Sequence, residues 1–270
     1  GSEMCIRDRS WEKSRRSFQA ELERSTSLKL DFVVTHPGNA TGISAKNPDN
    51  NQRRTDLKDI QSEMDQIQKM MDEALDDSAG SQLKLEKQSL DRKRRALLEQ
   101  GEDLQKGLEL NALGITKALE AVEPGTKVLL ELTAGSGTSV GGTFEHLARI
   151  RELIPLDLQE RVGFCFDTCH GYSAGYDLVE DYEGVWDQFD SVLGIDNLGL
   201  IHMNDSQHPF LSHKDRHQNI GDGFLGEEPF RKMMMDPRLS GVPKILETPK
   251  GDDPVAADLH NLSLLRSFRS

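Results

Sequence analysis

Short apolar runs alternate with stretches of helical periodicity along most of this chain. Five runs predict strands, over residues 31–35, 127–132, 161–166, 198–203 and 243–246. Helical spacing is predicted for residues 17–30, 116–122 and 144–154, and loops for residues 36–38, 133–142 and 167–175. Strands that alternate with helices in this way predict parallel βα units.

Residues 53–107 carry a different pattern, in which apolar residues recur at steps of three and four and then every seven residues. They are Leu57, Ile60, Met64, Ile67, Met71 and Ala74, followed after a turn by Leu83, Leu90, Leu97 and Leu104. This pattern predicts an antiparallel coiled-coil hairpin. The segment holds 11 basic and 13 acidic residues, which favours a solvated, self-paired hairpin. The alternative is an arm that contacts an unidentified partner or the substrate.

A polar residue that could bind metal ends each predicted strand: His36, Glu131, Asp167, His202 and Glu247. Parallel α/β barrels gather the carboxyl ends of their strands at one mouth, whereas an open doubly wound sheet would bring only two or three of these residues together. We therefore predict a TIM (β/α)8-type barrel. Five strands are fewer than eight, so the barrel is predicted to lack its first strands.

Carboxylates and imidazoles recur at short spacings near these strand ends, at Asp167 with His170 and at Asp215 with His217. Mixed nitrogen and oxygen donors suit zinc, although manganese and iron accept them too. Glu131 and Glu247 follow apolar runs, where unpaired charge is costly and a nearby cation offsets that cost. Taken alone, an Asp at a strand end is a helix cap as often as it is a metal ligand. A single His is likewise an ordinary surface residue as often as a ligand. Together the residues favour metal-assisted hydrolysis, in which paired metals split phosphodiesters.

Composition limits the other possibilities. A formal charge of -13 argues against a basic nucleic-acid-binding surface. Three cysteines make no disulfide framework, and the absence of an apolar run of about 18 residues gives no membrane span, so a cytoplasmic location is expected. Residues 1–10 have no periodicity and are expected to be a non-native or disordered tail. The predicted units are then a partial barrel over 11–52 and 108–270 and an inserted hairpin over 53–107.

Six motifs in order resemble the endonuclease IV family of zinc-dependent apurinic/apyrimidinic endonucleases, which are xylose-isomerase-like barrels. They are VVTHPGN, LLELTAGSGTSVGGTFEHL, RVGFCFDTCHGYSAGYDL, LIHMNDS, KDRHQNIGDGFLG and VPKILETP, spread over residues 18–42 and 108–252. The resemblance implies a monomeric DNA repair enzyme that hydrolyses the phosphodiester 5′ to abasic sites in double-stranded DNA. It also implies three Zn²⁺ ions, for which Mn²⁺ could substitute.

The same resemblance implies a role for each matching residue. One zinc would be held by His170, Asp215 and His217. A second would be held by Glu131, Asp167, His202 and Glu247, and a third by His36 and Glu131. Glu131, Asp167 and Glu247 would be catalytic. Arg216 would contact DNA, although an ordinary surface arginine is an equally good interpretation.

The chain departs from the family pattern in several places. No histidine precedes His36, so the third zinc is expected to lack one ligand and the activity to be impaired. Leu132 follows Glu131 where the family usually has Asn, and the hairpin has no usual counterpart. Two other hypotheses stay open: a divalent-metal sugar isomerase or epimerase of the same barrel superfamily, and a non-catalytic metal-binding remnant.

Overall fold

Five parallel strands form the central sheet of the protein. The computed structural model describes residues 3–40, 48–74, 77–99 and 101–269. The strands lie in chain order, β1 (Phe32–Thr35), β2 (Lys127–Glu131), β3 (Val162–Asp167), β4 (Leu198–His202) and β7 (Lys244–Ile245). Two short strands, β5 (Asp205–Ser206) and β6 (His217–Gln218), form an antiparallel ribbon beyond β4. Chain order without reversal is the winding of a barrel, because a doubly wound sheet reverses its order.

The two faces of the sheet have different partners. Leu129, Cys165 and Leu200 form a small cluster on the inner face, flanked by the partly buried Phe32 and Val34. The alternate residues of the same strands join the main core, which also contains the apolar side chains of the helices. Helices on one face only are typical of a barrel wall. The predicted barrel-type sheet is confirmed.

The helices are α1 (Glu3–Ser27), α2 (Pro48–Glu73), α3 (Asp77–Glu99), α4 (Glu102–Ala121), α5 (Phe144–Leu153), α6 (Thr168–Ala174), α7 (Tyr182–Leu193), α8 (Glu228–Met235) and α9 (Pro254–Ser267). Helix α7 shows why they form: Val185, Trp186 and Phe189 recur at steps that place them on one buried face. Trp186 packs 5.0 Å from the ring of Phe166 on β3. Within the described ranges, no helix combines the length and apolar content needed to span a bilayer.

The structure differs from the sequence-based prediction at three places. Residues 167–175 were expected to be a loop, which is wrong, because Thr168–Ala174 form α6. Asp167 caps this helix, its Oδ1 accepting the His170 N–H at 2.8 Å. Helix α1 begins at Glu3, well before the predicted start at residue 17; that residues 1–10 are a non-native or disordered tail stays a prediction. Helix α4 starts at Glu102, well before the predicted start at residue 116.

Helices α2 and α3 pack against each other as the heptad pattern predicts, and Met64, Ile67 and Leu90 are buried. The second arm ends at Glu99 rather than residue 107. The two helices pair with each other as expected, but the expectation of a solvated hairpin is wrong for one side of α3. Its charged residues Lys87 and Asp91 are only 3% and 4% exposed, because they pair with loops of the barrel.

Candidate metal centre

A polar side chain lies at or just beyond the carboxyl end of each strand of the main sheet. Glu131, Asp167 and His202 are the last residues of β2, β3 and β4. His36 directly follows β1, and Glu247 lies two residues beyond β7. The parallel register pairs Asp167 with His202 on the neighbouring strand. The strand ends therefore converge, as the barrel prediction requires.

The carboxylate of Glu131 lies at the centre of the cluster and is 3% exposed. Its Oε2 is 3.1 Å from His36 Nε2. Its Oε1 is 3.0 Å from His202 Nδ1 and 3.3 Å from His170 Nδ1. A carboxylate with its two oxygens turned to different imidazoles has the arrangement needed to bridge two cations.

Three carboxylates converge on one nitrogen of His202. Its Nδ1 is 3.0 Å from Glu131 Oε1, 3.1 Å from Glu247 Oε2 and 3.7 Å from Asp167 Oδ2. One imidazole N–H cannot satisfy three carboxylates, and ionised oxygens so close together repel one another. In the described part of the chain, the buried Nε2 of His202 has no hydrogen-bond partner. This donor set fits a divalent cation, which would neutralise the carboxylates.

His170 and His217 face each other with Asp215 beside them. His170 Nδ1 lies 2.9 Å from the carbonyl oxygen of Leu132, and His217 Nδ1 lies 3.2 Å from that of Glu247. Because carbonyls only accept hydrogen bonds, both Nδ1 atoms donate, and in the neutral imidazoles both Nε2 atoms then carry lone pairs.

The two Nε2 atoms are 3.4 Å apart, and Asp215 Oδ1 is 3.2 and 3.5 Å from them. Tetrahedral zinc with bonds of about 2.0–2.1 Å separates its ligand atoms by about 3.3–3.4 Å. The three side chains of His170, Asp215 and His217 thus fit such an ion.

The pKa values in the cluster reflect this crowding. Burial favours a raised pKa for Glu131, but hydrogen bonds from His170, His202 and His36 hold it well below its usual value. Burial favours a lowered pKa for His202, yet its neighbours Cys165, Glu131 and Glu247 raise it. The pKa of Glu247 is lowered by its hydrogen bond to His202. The carboxylates therefore remain ionised at neutral pH and available to cations.

Asn204 is a site residue that the sequence did not single out. It is fully buried, and its Nδ2 donates to Asp167 Oδ2 at 2.7 Å. Its Oδ1 accepts the backbone N–H of Glu247 at 2.8 Å. Thr168 Oγ1 donates in turn to the carbonyl oxygen of Asn204 at 2.6 Å. Asn204 therefore connects two of the expected ligands. Its position two residues past a strand-end histidine was the available signal.

The eight expected metal ligands all lie in this one cluster: His36, Glu131, Asp167, His170, His202, Asp215, His217 and Glu247. Arg216 is exposed, and its guanidinium donates to the carbonyl oxygen of Asp215 at 2.8 Å. This contact places Arg216 beside the cluster.

Comparison with known proteins places the chain in a family. The sequence profile described as a xylose isomerase-like TIM barrel matches residues 5–268. A protein of Chloroflexus aurantiacus named probable endonuclease 4 is 37% identical over 260 residues, 95% of this chain and 70% of that protein. One of Trichlorobacter lovleyi with the same name is 54% identical over 143 residues, 52% of this chain and 50% of its own length.

A solved structure agrees with the sequence matches. The crystal structure of endonuclease IV from Thermus thermophilus aligns with a TM-score of 0.54 and 26% identity, covering 93% of each chain. The fold, the strand-end cluster and these relatives lead to the same conclusion: the chain belongs to the endonuclease IV family of xylose isomerase-like TIM barrels.

Proposed function

We propose that this protein is a metal-dependent DNA repair endonuclease that hydrolyses the phosphodiester 5′ to abasic sites in double-stranded DNA. Membership of the family supports the nuclease activity, because its relatives are named endonucleases. The observation that carries the proposal is the facing pair of His170 and His217 Nε2 atoms beside Asp215, joined to the carboxylates around Glu131. Neither a surface pair of histidines nor a helix cap explains that convergence.

We assign three zinc ions to the cluster, with Mn²⁺ as a possible substitute. His170, Asp215 and His217 would hold one ion. Glu131, Asp167, His202 and Glu247 would hold the second, and His36 with Glu131 the third. Zinc at these positions would supply positive charge against the scissile phosphate and make water more acidic. The third ion has the fewest ligands. His170 lies near His36 and Glu131, but its Nδ1 donates to the Leu132 carbonyl and is therefore not free to bind this ion.

The catalytic carboxylates differ in exposure, which separates their roles. The Glu247 side chain is 45% exposed at the mouth, so its carboxylate can reach water. Because its pKa is lowered, it is ionised at neutral pH and can accept a proton from the attacking water. Glu131 and Asp167 are buried and hold the imidazoles in place. No side chain needs to form a covalent intermediate.

The negative charge of the protein does not prevent DNA from reaching the site. The formal charge is -13, but three Zn²⁺ ions would add six positive charges at the mouth. Arg216, exposed between two expected ligands, is our candidate for a contact with a DNA phosphate. We therefore expect weak binding of undamaged DNA and productive binding only where a phosphate enters the cluster.

The proposal extends to the state and location of the protein. We propose that it acts as a monomer in the cytoplasm, where thiols stay reduced. In the described ranges, Cys165 and Cys169 are buried and unpaired.

A labelled duplex with one tetrahydrofuran abasic analogue tests the function, because this analogue cannot break by β-elimination. With zinc in excess, we expect a single nick on the 5′ side of the analogue that leaves a 3′ hydroxyl. The Glu131→Gln protein and an undamaged duplex serve as controls and should give none. An abasic duplex left intact by fully zinc-loaded protein would refute the proposal.

Metal content separates the alternatives. Three bound zinc ions per chain support the nuclease. Two manganese or magnesium ions would favour a sugar isomerase or epimerase. One ion or none would favour a metal-binding remnant.

A further inference from the structure

One side of α3 is attached to the barrel by several charged groups. Arg94 donates to the Gly135 carbonyl at 2.7 Å, and Lys84 pairs with Asp177 at 2.7 Å. Lys87 donates to the Phe210 carbonyl at 2.5 Å. Gly135 and Phe210 lie in loops beyond the carboxyl ends of β2 and β4, and Asp177 lies beyond α6.

Burial makes these contacts specific. Lys87, Asp91 and Arg94 are 3%, 4% and 6% exposed. Burying a charge without a partner is costly, and removing one partner of a buried pair leaves that cost uncompensated. The hydrogen bonds and ion pairs of these charged side chains therefore fix the position of α3 on the loops. The same contacts hold the loops in place.

Asp91 reaches the loop that carries two expected metal ligands. Its Oδ1 lies 2.9 Å from Nε2 of His213, which is 7% exposed. The other ring nitrogen of His213 lies 3.1 Å from the Ala134 carbonyl oxygen. A neutral ring donates to one of these two acceptors and a protonated ring donates to both. The imidazole is thus held between α3 and the loop that follows β2.

The backbone around His213 needs such support. His213 has a φ of 53° and Leu211 a φ of 59°, in the left-handed region that residues other than glycine rarely adopt. Such a conformation is strained and persists only when the surroundings hold it. The His213 N–H donates to the Ser173 carbonyl at 3.0 Å, and Ser173 Oγ donates to the Lys214 carbonyl at 2.9 Å.

This loop links α3 to both sides of the expected zinc site. Asp215 and His217 lie two and four residues after His213. Ser173, which holds the loop, lies one turn beyond His170 on α6. A change in the position of His213 would therefore move Asp215 relative to His170.

We propose that Asp91 is a positioning residue for the metal centre, holding His213 so that Asp215 and His217 face His170. Asp91 is not among the expected metal ligands. Its Oδ2 accepts from Arg95 at 2.6 Å, and its Oδ1 contacts His213, through which the positioning acts. The inference rests on the proposed function for the use of the site, but its test measures metal retention rather than cleavage.

The test is release of zinc from the full chain to a chromophoric chelator. Asp91→Ala removes the acceptor, and Asp91→Leu removes it while filling the space. Asp91→Asn keeps an oxygen that can accept from His213. Asp59→Ala is the matched control, because Asp59 is exposed on α2 of the same hairpin.

We expect the Ala and Leu variants to lose one zinc about 10-fold faster, and the Asn variant to release it at nearly the wild-type rate. The effect should be absent in Asp59→Ala. Adding Asp91→Ala to Asp215→Ala should change little, because both act on one site.

Zinc retention in Asp91→Ala and Asp91→Leu equal to that of Asp59→Ala would overturn the proposal. So would equal loosening of all zinc ions with loss of the folded circular dichroism signal, since that indicates a merely structural role. If zinc release changes as expected but abasic DNA is not cut, the proposed function fails and the positioning role stands.

Discussion

Removing the Asn204 side chain should loosen the zinc held near Asp167 without unfolding the protein. Asn204→Ala deletes the 2.7 Å hydrogen bond to Asp167 Oδ2 and the acceptor for the Glu247 N–H. A hydrogen bond to a charged group contributes about 1.5–3 kcal/mol. Expressed as affinity, that is roughly 10- to 100-fold, the range found when groups that orient metal ligands are removed.

The assay is zinc affinity by chelator competition, with thermal unfolding followed in parallel. Asn197→Ala is the control. Asn197 directly precedes the first residue of β4, at the end of the strand away from the cluster, and its side chain donates to the Leu193 carbonyl at 2.7 Å. We expect zinc affinity to fall in Asn204→Ala and to stay unchanged in Asn197→Ala. Equal zinc affinity in the two variants would show that Asn204 does not orient the ligands.

Three further changes test other parts of the account. Gly223→Ala should destabilise the protein by about 1–3 kcal/mol, since its Cβ would overlap Asp205 Oδ1 and the Ser206 carbonyl, whereas Gly241→Ala, in open space, should be nearly neutral in urea unfolding. Glu131→Gln should remove at least one zinc in metal analysis; full zinc content would contradict its central role. Burial lowers the pKa of Lys87 to about 8 from 10.5, so the unfolded state binds more protons between these pH values. The free energy of unfolding should therefore rise with pH across that window, by about 3 kcal/mol more in the wild-type protein than in Lys87→Met. A difference between the two proteins that does not change with pH would contradict this prediction.

The strand ends could be predicted because their signal is local. An apolar run followed by His, Glu or Asp marks where a buried strand ends, and parallel strands place those ends together. The same reasoning placed Glu131, Asp167 and His202 in one site. Two expectations stay predictions: that residues 53–107 are an insertion relative to the family, and that each ligand has the assigned role.

The docking of α3 could not be predicted because its partners are distant in sequence. Lys87, Asp91 and Arg94 lie three or four residues apart, which is also the pattern of a solvated helix face. Their partners Phe210 and His213 are 123 and 122 residues away. Helix α6 was missed for a related reason: it is seven residues long and fully buried, so it has no amphipathic pattern.

Anomalous diffraction at the zinc edge, on crystals of the zinc-loaded protein, tests the central claim most directly. We expect one peak between His170, Asp215 and His217. We expect a second among Glu131, Asp167, His202 and Glu247, and a third, weaker peak beside His36. A map with no peak at bonding distance from these side chains would contradict the account.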